Sequence, residues 1–120
     1  MVATLVDTVD SGTTGTYDVT LVNTTGGDIT IGSITSDNDV SITSAGSILD
    51  ANNDATTDIT ATNAVLTAAT GVGSGQANIN LETAVDDLDV SVASGDIDIA
   101  ELDAVTLSDV DTADDRISVG

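Results

Sequence analysis

Cysteine, histidine and proline are absent from this sequence, as are phenylalanine and tryptophan; Tyr17 is its single aromatic residue and Arg116 its single basic one. Each absence excludes something. Without cysteine there is no disulfide framework and no thiolate metal centre. Without histidine, cysteine or lysine, no nucleophile can be paired with a conventional base, so only carboxylate pairs remain for catalysis. Asp86-Asp87 and Asp114-Asp115 are such pairs in sequence, but neighbours on a strand point to opposite faces. We therefore expect no enzyme.

The shortage of positive charge is as informative. One basic residue stands against 21 acidic ones, for a net charge of -20. Binding to nucleic acid depends on Lys and Arg displacing the counterions condensed on phosphates, which this chain cannot do. Anionic membrane surfaces are disfavoured for the same reason. No apolar run approaches the roughly 18 residues of a membrane-spanning helix. Residues Met1 to Asp10 lack the basic start and apolar stretch of a secretory signal, so an exported form is expected as a mature or excised piece of a longer chain.

A core must still be built from what remains. Hydrophobic residues make up 40% of the sequence, nearly all Val, Ile, Leu and Ala. Aromatic rings bury roughly 150–250 Å² each, and a chain that lacks them needs a thin, regular interior. The dominant pattern is apolar residues alternating with Thr, Ser, Asp or Asn, as in Ile29-Thr30-Ile31, Val40-Ser41-Ile42, Val90-Ser91-Val92 and Ile97-Asp98-Ile99. That period of two belongs to strands with one buried face. Thr62 to Thr70 is the least decisive stretch, and its threonines favour strand over helix. Gly and Asn/Asp clusters at Gly26-Gly27-Asp28, Asp50 to Asp54, Gly71 to Gly75 and Ser94-Gly95-Asp96 mark tight turns between the runs.

The runs repeat. Gly27-Asp28-Ile29-Thr30-Ile31 recurs as Gly95-Asp96-Ile97-Asp98-Ile99, differing only where Thr30 is replaced by Asp98. Asp39-Val40-Ser41-Ile42 after the first copy has a counterpart in Asp103-Ala104-Val105-Thr106-Leu107 after the second. Such repetition is the mark of a solenoid, in which each coil buries its apolar face only against its neighbours. Two strands per coil would give coils of about 20 residues and five or six of them along the chain. Stacked about 4.8 Å apart, small aliphatic side chains then form continuous ladders. The final Ile117-Ser118-Val119-Gly120 keeps the same grammar, which leads us to expect a piece of a longer array or a unit that adds onto copies of itself.

Taken together, Gly27 to Gly32, Asp39 to Asn52, Ile59 to Thr62, Leu66 to Gly75 and Leu81 to Val85 resemble the repeats of very large bacterial exoproteins of the filamentous-haemagglutinin type. The resemblance covers residues 26–120. It implies a secreted, right-handed parallel β-helix at the bacterial surface, serving as an adhesin or filament that associates with itself or with a host or neighbouring-cell ligand. Residues 1–25 fit the repeat less well and read as an N-terminal strand, cap or linking segment. Gly15 to Leu21 also resembles a late strand of a bacterial immunoglobulin-like module. The competing expectation is thus an antiparallel β-sandwich acting as a calcium-dependent binding domain.

Oxygen ligands are the one kind of metal chemistry on offer, and calcium is the cation they suit. Asp50, Asn52 and Asp54 have the alternating spacing that opens an EF-hand loop, but Ala55 and Ala61 stand where that loop needs Gly and a bidentate Glu. Asp109, Asp111, Asp114 and Asp115 form a second, looser candidate set. No other cofactor is expected.

Overall fold

The computed structural model describes residues 1–4, 6–7, 18–73, 80–113 and 115–120. Tyr17, Asp114 and residues 74–79, which include the end of the Gly71 to Gly75 turn region, lie outside them. Among the described residues there is no helix. The chain runs through β1 (Val2–Ala3), β2 (Val6–Asp7), β3 (Val19–Asn23), β4 (Ile29–Ile31), β5 (Ile34–Thr35), β6 (Asp39–Ser44), β7 (Ser47–Asp50), β8 (Ile59–Ala68), β9 (Gly71–Val72), β10 (Leu81–Val92), β11 (Ile97–Glu101), β12 (Thr106–Thr112) and β13 (Ile117–Val119).

Every pairing between these strands is parallel. A first wall stacks β1, β4, β7, β9, β11 and β13. A second wall stacks β2, β5 and the opening residues of β8 and β10, continuing onto the end of β11. A third stacks β3, β6, the later residues of β8 and β10, and β12. The chain visits the walls in rotation. The result is a β-solenoid of about four three-sided turns, followed by a shorter turn through β11 and β12. All-parallel pairing overturns the immunoglobulin-like sandwich, whose adjacent strands are antiparallel.

Three walls, where two strands per turn were expected, follow from how β8 and β10 turn a corner without leaving strand conformation. In β8 the inward residues are Ile59 and Ala61, then Ala64, Leu66 and Ala68. In β10 they are Leu81, Thr83 and Val85, then Leu88, Val90 and Val92. The period of two slips by one residue at Thr62-Asn63 and again at Asp86-Asp87. Such a slip reverses which face is buried, and only a bend in the chain keeps both halves facing the core. Asp86 and Asp87 therefore mark a corner. The undecided segment at Thr62 to Thr70 is strand as far as Ala68.

The interior is filled by ladders. Ile29, Ile48, Val72 and Ile97 are paired in succession up the first wall and all are fully buried. Val40, Ala64 and Leu88 form a second ladder, and Ile42, Leu66 and Val90 a third. Burying one such side chain contributes about 1.5–3 kcal/mol, so the stack needs no ring to fill it.

The sequence repeat has a structural counterpart at the corner entering the first wall. Gly27 and Gly95 hold φ of 85° and 101°, a left-handed conformation that other residues resist. The Asp28 carboxylate accepts the amide of Ser47 at 2.8 Å, and the Asp96 carboxylate accepts that of Arg116 at 3.2 Å. In each copy the aspartate thus caps the backbone one turn further on, while the two isoleucines behind it enter the core.

Candidate functional site

The opposite corner, between the first and second walls, carries the chain's most unusual chemistry. Strand β7 delivers Asp50, the residue before β8 is Asp58, and β10 delivers Glu82. Asp50 stands above Ile31 in a ladder position, so its side chain points where a hydrophobe would otherwise sit. Asp58 and Glu82 are one turn apart at equivalent places in the second wall, since Ile59 pairs with Thr83. The three are 5%, 0% and 5% exposed, and one carboxylate oxygen from each lies within 4.8 Å of the others.

Hydrogen bonds account for only part of this cluster. Asp50 accepts the amide of Asn52 at 2.7 Å and that of Asp54 at 3.0 Å. Asp58 Oδ2 accepts the amide of Glu82 at 3.0 Å. Asp58 Oδ1 and Glu82 Oε2 are buried without a hydrogen-bond partner, although such groups are normally satisfied. Burial pushes the Asp58 carboxyl up to about 8, and the neighbouring Asp50 and Glu82 charges push the same way. Burial also raises Glu82, with a further push from Asp50.

No positive side chain offsets the cluster. Arg116, the only basic residue of the sequence, pairs with Asp98 at 3.1 Å and Asp96 at 3.6 Å on the first wall. Glu101, the other glutamate, makes a useful contrast. It is half-buried, yet its carboxylate accepts Thr83 Oγ1 at 2.6 Å and the amide of Val85 at 3.2 Å. Burial raises this acid as well, but both its oxygens are engaged.

Glu82 also lines a cavity of about 420 Å³ shared with Asn53, Asp54, Ala55, Asn80, Ala100 and Leu102. The cluster thus adjoins this cavity through Glu82.

Of the expected metal ligands, only Asp50 belongs to this cluster. Asn52 and Asp54 contribute backbone amides to Asp50, while their side chains are exposed; Asp54 accepts the amide of Thr56 at 2.8 Å and also its hydroxyl. Asp109 and Asp111 lie exposed on β12. Asp115 is exposed and accepts the amide of Gly95 at 2.7 Å, and Asp114 is outside the described residues. Asp58 and Glu82 escaped the spacing argument because they are brought to Asp50 by stacking, a relation across turns. A signal was present nonetheless: in a sequence whose acid is nearly all Asp, the two glutamates, Glu82 and Glu101, both sit in strands among apolar residues.

No family model matches the sequence, and no curated protein or solved structure matches it either. Its class is therefore defined by its fold, a parallel β-solenoid.

Proposed function

We propose that this chain is a structural module: a stiff, acidic β-solenoid segment of an extracellular adhesin or surface filament, which extends, displays or self-assembles. The observation that carries the reading is the unbroken parallel stacking of all three walls around aliphatic ladders. Such a stack is a rod whose length is set by the number of turns and whose outer surface is free to vary. Outward positions here are mostly Thr, Ser, Asp and Asn, which suits display in water. The resemblance to filamentous-haemagglutinin repeats supports the extracellular setting.

Self-assembly has a physical basis at the last turn. Strands β12 and β13 each pair on one side only among the described strands, and Leu107 and Ile117 are about half exposed there. An unpaired edge is a template for another strand. Asp109 and Asp111 on β12 oppose that pairing by charge, and added salt shortens the reach of their repulsion from about 30 Å at 0.01 M to about 3 Å at 1 M. Light scattering and negative-stain images should therefore show a monomer at low ionic strength and oligomers or filaments as NaCl is raised. A monomer at every ionic strength and concentration would refute the self-assembling form of the proposal.

A further inference from the structure

We propose that Asp50, Asp58 and Glu82 form a Ca²⁺ site that clamps consecutive turns of the solenoid at one corner. Three carboxylates meet in a space where each is at least nine-tenths buried. Two of their oxygens, Asp58 Oδ1 and Glu82 Oε2, receive no hydrogen bond from any other group of the protein, so they are left to each other or to a ligand. Isolated buried carboxylates cost several kcal/mol each, and like charges in contact add to that. A proton shared between Asp58 and Glu82 relieves the pair partly. A divalent cation relieves all three at once and uses both orphaned oxygens.

The ligand chemistry narrows the cation. Every donor is a hard oxygen, and the sequence contains no histidine or cysteine to favour zinc or copper. Calcium takes six to eight oxygens in flexible geometry, whereas magnesium demands near-ideal octahedral order and sheds water reluctantly. Asp50 is held by two backbone amides, one on each oxygen, and keeps lone pairs free on both. The adjoining cavity at Glu82 gives a route for the ion and room for water ligands. Because Asp50 and Asp58 belong to one turn and Glu82 to the next, the ion would tie the turns together through side chains as well as backbone.

Equilibrium dialysis of the full chain against ⁴⁵Ca²⁺ tests this directly, in about 0.5 M NaCl so that exposed aspartates are screened. The expected result is saturable uptake of a single ion, weakened at least tenfold in Asp58→Asn and in Glu82→Gln and unchanged in Asp109→Asn. Uptake by the unmodified chain alone, saturating at one ion per chain in this salt, keeps the test decisive if a variant fails to fold. Absence of saturable uptake, or wild-type affinity in both variants, would overturn the site. Displacement of the ion by equimolar Mg²⁺ would overturn its assignment to calcium.

Discussion

The amide of Glu82 donates to the Asp58 carboxylate at 3.0 Å while the amide of Asp58 donates to the Glu82 carbonyl at 2.8 Å. The two acids are thereby held in register on successive turns by the same ladder that holds the fold. Their side chains cannot separate unless the corner opens. A like-charged pair enforced by backbone bonding is a liability in an apolar wall, and it makes the stability of this corner depend on what neutralises it.

That dependence has a sign. In the fold, Asp58 keeps its proton up to about pH 8, whereas in the unfolded chain an aspartate loses it near 3.9. Between these values the folded state binds more protons, so cation-free stability falls as pH rises from about 4 to about 8. The groups facing Asp58 are Glu82 and Asp50, with Asp54 close to Glu82, all acidic, so none reverses the trend. No histidine titrates in this window. Urea unfolding in EDTA should show the decline continuing above pH 6, and Asp58→Asn should flatten it. If Ca²⁺ occupies the corner, saturating Ca²⁺ abolishes the decline, because the ion displaces the proton that the folded state would otherwise hold.

The aliphatic ladder makes a second demand. Ile48 is fully buried and paired with Ile29 on one side and Val72 on the other. Ile48→Ala should cost about 2–5 kcal/mol, the range for a buried truncation that leaves a cavity. In contrast, Thr67→Ala on the exposed face of β8 should shift stability by less than about 0.5 kcal/mol. Denaturant midpoints of the two variants give the comparison.

Gly95 tests the corner of the repeat. Its φ is 101°, and a Cβ placed there would stand 2.2 Å from the Thr70 carbonyl oxygen on the preceding turn. Gly95→Ala must strain the backbone and push two turns apart, with an expected loss of ~2 kcal/mol or more. Gly26 has a positive φ but open space around it, so Gly26→Ala should cost less. Equal losses at the two positions would mean that conformation alone, and not the approach of the turns, requires glycine at Gly95.

Much of this fold was legible in the sequence. The period of two at Val40 to Ile42 and Val90 to Val92 predicted strands, the missing aromatics predicted a thin core, and the Gly-Asp-Ile repeat predicted stacked turns. The third wall was hidden because its corners at Thr62-Asn63 and Asp86-Asp87 contain neither Gly nor Pro; they show only as a slipped phase between Ala61 and Ala64 and between Val85 and Leu88. The carboxylate corner was half visible. Asp50 stood out by its spacing to Asn52 and Asp54, but those residues serve it through their amides, and the acids that face it arrive from Asp58 and from the next turn. Spacing along a chain reports ligands within a loop; it is silent about register between turns until the turn length is known.

The stacking of parallel turns around aliphatic ladders is most directly tested by nuclear Overhauser contacts in the isotopically labelled chain. Methyl contacts should link Ile29 to Ile48, Ile48 to Val72 and Val72 to Ile97 in succession, with none from Ile29 to Ile97, and strong Hα–Hα contacts between neighbouring strands should be absent. Strong Hα–Hα cross-peaks between facing strands, the signature of antiparallel pairing, would contradict the solenoid and with it the clamp at Asp58 and Glu82.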